Sequence, residues 1–314
     1  MWGRGVLPLC AIVTLAGLLG GCGDQTSQPR RDPFAYDRDR PLAATVKTVS
    51  RKGAVRVQRV VYTAADGQRV PALLAVPRRT EPKGCLIYQG GAGSTKEQAS
   101  RLWPSAAALG LATFTIETRH TGARAADPRE LLHVLASADR VATMIRDDVI
   151  DLRRGVDYLS TRPECRRNIG FLGTSQGALL GALLAGDDPR IHAVVLTSLG
   201  ATWRSALLYD TDVLVPGVTE RPRAMEAALR KLDGLDAADW IGRISPRPVM
   251  IVDGLRDPRI PVVEALNLAA AAREPKTLML HRGGHDPFGP PDGDRVNDRI
   301  GLFLLNQLVD YDPS

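Results

Sequence analysis

Apolar residues along this chain fall into short runs and alternations broken by glycine and proline. Ala54 to Tyr62 alternates in the manner of a half-buried strand, Asp66-Gly67 reads as a turn, and Arg69 to Val76 is apolar again before Pro77. That pattern predicts a β-hairpin. Cys85 to Gln89 reads as a buried strand that runs into Gly90-Gly91-Ala92-Gly93. Further strands are predicted over 111–117, 168–172, 193–198, 249–252 and 277–280. Helical spacing separates them: 99–109, with Pro104 as a break point, then a long amphipathic stretch over 139–160, and Ala178 to Ala185. A closing helix over 296–309 puts Val296, Ile300, Phe303, Leu304 and Leu308 on one face. Strands alternating with helices imply an α/β fold, with a mostly parallel central sheet, helices on both faces and an N-terminal antiparallel hairpin at the edge. Ligands of such sheets bind beyond the carboxyl ends of the strands, so chemistry is sought in the loops that follow them.

Composition changes this picture little. The 314 residues carry a formal charge of +6, mostly as scattered arginines, and this excludes a basic nucleic-acid stripe as the leading reading. The N-terminus departs from the folded pattern. Met1 to Gly5 with Arg4 is followed by apolar Val6 to Leu19 and then Leu19-Gly20-Gly21-Cys22. This resembles a bacterial lipoprotein signal, in which cleavage leaves Cys22 as a lipidated N-terminus; an ordinary secretory signal is the alternative. The resemblance implies a signal peptide over 1–21, a flexible polar tether over 22–45 and a catalytic-size domain over 46–314. It also implies export, with lipid anchoring to the bacterial cell envelope. Gly23 at the position after the cysteine favours an outer over an inner membrane. No cofactor or metal-ligand spacing is read among the cysteines and histidines.

The chemistry centres on Gly173-Thr174-Ser175-Gln176-Gly177, between a predicted strand and a predicted helix. A serine pinched there by two glycines is a nucleophile elbow, a strained turn that lifts the hydroxyl clear of the sheet. The turn aims the Gln176 N–H and the positive end of the helix at the place where an oxyanion would form. A serine needs a base, and the base an orienting carboxylate. Asp253-Gly254-Leu255-Arg256-Asp257 follows one strand, and His281-Arg282-Gly283-Gly284-His285 follows the last. The chain order is therefore Ser, Asp, His.

On these motifs the chain resembles an α/β-hydrolase, nearest in pattern to dienelactone hydrolase, acetyl-xylan-esterase-like serine esterases and prolyl-oligopeptidase-type catalytic domains. The family acid sits in G-x-x-D-x-x-x-P, which Gly254 to Asp257 with Pro261 matches; Gly284-His285 matches the family histidine. Ser175-Gln176-Gly177 is similar to the elbow of acetyl-xylan and cephalosporin-type deacetylases. The similarity covers roughly residues 55–310 and implies Ser175, Asp257 and His285 as the catalytic triad. It implies Gln176 and Gly91 as oxyanion donors, with Ala92 as the rival to Gly91. Where the family shows His-Gly, this chain has Gln89-Gly90. Asp253 is the rival acid and His281 the rival histidine. His120 is a candidate substrate contact, and His133 and His192 read as structural.

In the implied fold Cys85 starts one strand and Cys165 sits just before its neighbour, at the same end. A disulfide is open to them, though two separate buried thiols are the preferred reading. The insertion over 199–244, with Trp203, Tyr209 and Trp240 and a helix over 223–232, either covers the site or packs as a connection. The function expected is a serine hydrolase that cleaves a small-molecule carboxylic ester through an acyl-enzyme. A peptidase of prolyl-oligopeptidase type, lowered by the lack of a propeller-length N-terminal region, and a non-catalytic binding module on the same fold are the alternatives.

Overall fold

Nine strands form one sheet in a computed structural model that describes residues 32–51, 53–165, 168–209 and 218–309. The strands are β1 (Thr45–Ser50), β2 (Val55–Thr63), β3 (Arg69–Pro77), β4 (Gly84–Gln89), β5 (Leu111–Ile116), β6 (Ile169–Thr174), β7 (Ile191–Thr197), β8 (Val249–Gly254) and β9 (Lys276–His281). Their order is β1-β2-β3-β5-β4-β6-β7-β8-β9. β1, β2, β3 and β5 pair antiparallel, and every pair from β5 onward is parallel. The predicted hairpin is β2 and β3, registered from Val55↔Pro77 to Thr63↔Arg69.

The period of two in the central strands divides the core into two faces. Cys85, Ile87, Val194, Leu196, Val249 and Ile251 point into one apolar cluster. Their neighbours Leu86, Val195, Met250 and Val252 point into the other. The first face is covered by α3 (Ala138–Ser160), α4 (Gln176–Asp187), α7 (Ala237–Ile241) and α8 (Val262–Ala271), the second by α1 (Trp103–Ala108) and α9 (Gly293–Leu304). α2 (Glu130–Leu135) packs on α3, while α5 (Trp203–Tyr209) and α6 (Pro222–Lys231) belong to the insertion before β8. The helix expected over 99–109 is split. A 3₁₀ turn, Lys96–Arg101, precedes α1, whose first turn holds Pro104, where the missing N–H costs nothing.

Three expectations change. First, β1 lies outside the predicted set, because its residues are mostly exposed and polar and carry no apolar alternation. Second, the tether expected over 22–45 does not extend through its described residues. Phe34 is fully buried, its ring 5.0 Å from that of Trp240, and its carbonyl accepts from Arg153 Nη1 at 2.6 Å. Tyr36 donates to Asp157 at 2.7 Å, and Arg154 donates to the Arg40 carbonyl at 2.8 Å. Two aromatic anchors within a polar stretch hold this strap on α3, and the polar composition hid them. Residues 1–31, with the signal and Cys22, lie outside the described residues. Third, Cys85 and Cys165 form a disulfide, with Cα atoms 4.9 Å apart, rather than two separate thiols. The 3₁₀ turn Pro163–Cys165 after α3 brings the second sulfur to the start of β4.

Candidate active site

The site begins with the turn between β6 and α4. Ser175 has φ +55° and ψ −119°, a region that a side chain adopts only when its surroundings hold it there. Those surroundings are fixed by backbone. The Ser175 N–H donates to the Thr197 carbonyl of β7 at 2.9 Å, and the Ser175 carbonyl accepts from Ala178 and Leu179 in the first turn of α4. A Cβ on Gly173 would collide with the Gly177 carbonyl, and one on Gly177 with the carbonyls of Gln89 and Gly90. Both glycines are thus demanded by close backbone approach.

His285 and Asp257 reach this serine from loops after β9 and β8. Ser175 Oγ lies 3.0 Å from His285 Nε2, and His285 Nδ1 lies 2.8 Å from Asp257 Oδ2. The Asp257 side chain is fully buried and the imidazole about one-fifth exposed, at 21%. Burial by itself would raise the Asp257 carboxyl. The hydrogen bond from His285 and those from the Arg259 and Ile260 N–H groups, at 2.8 and 3.1 Å, outweigh it and hold the group below its ordinary range. A carboxylate kept ionised fixes the imidazole with Nδ1–H pointing at Asp257 and the Nε2 lone pair at Ser175.

Gly91 approaches the serine from the loop after β4. A Cβ placed on it would be 3.5 Å from Ser175 Cβ and 3.9 Å from Oγ. Neither the Gly91 nor the Gln176 N–H donates to a group among the described residues. Two unspent donors beside the hydroxyl are what an oxyanion requires. Gln89, where the resembled families carry histidine, ties the end of β4 to β5. Its carboxamide accepts from the Ile116 N–H at 3.1 Å and donates to the Ile116 carbonyl at 3.4 Å.

The rival residues sit elsewhere. Asp253 does not touch the imidazole; it is buried and accepts the Leu199 N–H at 2.9 Å. Burial pushes its carboxyl up to about 8, with the Asp257 charge adding to the rise. His281 is buried at the end of β9, where its Nδ1 accepts the Gly283 N–H at 3.1 Å, and burial lowers its pKa. His120, at φ +61°, pairs with Glu130 at 2.6 Å. His133 is exposed on α2. His192 accepts the Ile169 N–H at 3.3 Å, far along the sheet from the elbow.

Three features escaped the sequence reading. Ser198, one residue past β7, adopts φ +57° and donates to the His285 carbonyl at 2.7 Å. Its only signal was its place after a strand. An apolar cavity opens beside Ser175, walled by Met144 and Ile145 of α3, Leu179 of α4 and Trp203 of the insertion. Beyond that wall Arg119 meets Asp66, Asp147 and Asp151 at 2.8 to 3.2 Å, and Arg124 meets Asp151 at 2.8 Å. Asp148, also buried, accepts the Arg119 N–H at 2.8 Å, and burial raises it to about 8. The acidic residues of α3 were visible in the sequence, but nothing there named their partners.

Known proteins share this fold. The model of the prolyl oligopeptidase family matches residues 143–285, the stretch from α3 to His285. An acetyl xylan esterase from Paenibacillus sp. R4 superposes with a TM-score of 0.69 at 21% identity, covering 83% of this chain and 89% of its own. Acetyl xylan esterase 1 from Thermoanaerobacterium sp. JW/SL YS485 gives 0.67 at 18% identity, over 85% and 88% of the two chains. The acylaminoacyl peptidase of Pyrococcus horikoshii gives 0.62 at 15% identity, over 83% of this chain but 43% of its own. Among curated sequences, the uncharacterized protein YfhR of Escherichia coli is 26% identical over 132 residues, 41% of this chain and 42% of YfhR. That match thus spans about two fifths of its relative's length. Sheet order and the structural likenesses give this chain the α/β-hydrolase fold, and the prolyl oligopeptidase family model matches its residues 143–285.

Proposed function

We propose that the protein is a serine hydrolase that cleaves carboxylic esters through an acyl-enzyme. The observation that carries this reading is the unbroken chain Ser175–His285–Asp257, at 3.0 and 2.8 Å, with two unspent N–H donors beside the hydroxyl. Ser175 Oγ attacks the ester carbonyl while His285 Nε2 takes its proton. Asp257 holds the imidazole and stabilises the imidazolium that forms. The N–H groups of Gln176 and Gly91 receive the oxyanion. His285 then protonates the departing alcohol oxygen, and water, activated by the same imidazole, releases the acid.

Peptide hydrolysis is the second reading, favoured by the name of the matching family. The relative coverage speaks for esters. The chain spans 89% of an acetyl xylan esterase but 43% of an acylaminoacyl peptidase. Labelling with a fluorophosphonate beside Ser175→Ala tests the nucleophile, and turnover of p-nitrophenyl esters against peptide anilides separates the two readings. Label and ester turnover that both vanish in Ser175→Ala, with a loss of about 10⁴-fold or more in kcat, are the expected result. A folded protein that takes no label overturns it.

We further propose export and a lipid anchor at Cys22. Support comes from the sequence, since Cys22 lies outside the described residues, and no helix among those described is long and apolar enough to cross a membrane. Membrane-fraction protein that turns soluble in Cys22→Ser is the expected outcome.

A further inference from the structure

The cavity beside Ser175 has polar groups on its wall, and nearly all are already engaged. Ser198 Oγ donates to the His285 carbonyl, and Trp203 Nε1 donates to the Leu235 carbonyl at 2.9 Å. Thr202 Oγ1 accepts the Ser205 N–H at 3.3 Å and meets Glu264 at 3.4 Å. Ser175 faces His285. Gln176 remains. Gln176 lines the cavity, and its carboxamide meets only the sulfur of Met144, another lining residue, at 3.9 Å, among the described residues. A thioether is a weak acceptor. The amide thus brings to this wall an unspent acceptor and donors engaged only by a weak sulfur contact.

The cavity also has a direction. The leaving alcohol must sit where His285 Nε2 can protonate it. His285 does not line this cavity, whereas Gln176 and Leu179, on the α4 side of the serine, do. That placement favours the acyl side of the scissile bond. Resting on the ester-hydrolysis reading above, we infer that Gln176 is a specificity-determining residue: its carboxamide hydrogen-bonds a polar substituent, a keto or hydroxyl oxygen, on the acyl chain that fills this cavity. The favoured substrates are esters of oxo- or hydroxy-acids rather than of plain alkanoic acids. A site built to bond a substrate oxygen discriminates against the analogue lacking it, because its own polar group is then left without a partner.

The matched probes are the p-nitrophenyl esters of 4-oxopentanoic and pentanoic acid, which differ by one ketone oxygen. Each variant is compared with itself, through its ratio of kcat/KM for the two esters, so a general loss at the adjacent backbone donor cancels. Wild type is expected to prefer the oxo ester. In Gln176→Met and Gln176→Leu, which keep the N–H and much of the volume, that ratio is expected to fall about three- to tenfold, the range of one neutral hydrogen bond. Gln176→Glu keeps an acceptor and loses both donors to the ketone, so its ratio is expected to fall with the others. A preference that is absent in wild type, or that survives in all three variants, overturns the inference. If wild type hydrolyses neither ester and takes no fluorophosphonate, it is the hydrolase reading itself that has failed.

Discussion

Ser198 holds a left-handed backbone at φ +57° and spends its hydroxyl on the His285 carbonyl. It touches no atom of the triad's proton path, so it acts as a positioning residue. Ser198→Ala is expected to lower kcat up to about tenfold, the worth of one hydrogen bond, with KM little changed. A loss confined to KM would speak against it. Asp253, at the end of β8, and Asp257, in the loop after it, separate by their partners. Asp257→Asn is expected to cost about 10⁴-fold in kcat, as a wrongly oriented imidazole does, whereas Asp253→Asn keeps turnover. Asp253 makes a further prediction through pH. Its folded pKa of about 8 stands above the ordinary 3.8, so the folded protein holds a proton there that the unfolded chain releases. Stability from this residue is full below about pH 4 and drains as pH climbs to about 8. Asp253→Asn, which cannot ionise, is expected to melt higher than wild type at pH 8 by more than about 2 °C and to differ less at pH 4. Thermal melts at the two pH values check it; an equal or larger gain at pH 4 would refute it.

At the scale of elements, what the sequence made legible was what burial writes into it. β4, β6, β7 and β8 are apolar runs because both faces are covered, and glycine stands at or next to the ends of β4, β6 and β8. β1 was illegible for the opposite reason: an edge strand with solvent on its side chains needs no pattern. The contacts Ser175–His285–Asp257 were legible because these residues follow strand ends in chain order, whereas the cavity wall was not, since α3, α4 and the insertion meet only in space. The disulfide lay between these cases. Both cysteines were plain to see, but choosing the bond over two thiols needed the turn after α3. It closes a separation of 80 residues. The double variant Cys85→Ser/Cys165→Ser is expected to lose about 2–5 kcal/mol in urea unfolding. Its kcat is expected to match wild type, because the bond lies at the strand ends opposite Ser175.

For the molecule as a whole, the strap over 33–44 joins two regions that the chain keeps far apart. Phe34 touches Trp240 of the insertion, and Arg153 and Arg154 of α3 hold the strap's carbonyls. Phe34→Ala is expected to cost about 3–5 kcal/mol of stability, the usual toll of a buried phenylalanine, while kcat at low temperature stays put. The disulfide carries a different consequence at this scale. β4 starts at the bridge and ends beside Gly91, and its neighbour β6 ends at Thr174, next to Ser175. The nucleophile and one candidate donor for its oxyanion thus stand at the far ends of two neighbouring strands riveted at their base. The bridge blocks fraying from the base of the pair. In amide hydrogen exchange the two strands should therefore behave as a single slow block, opening only with the whole sheet. On mild heating, activity should disappear in one step with global melting rather than fade ahead of it.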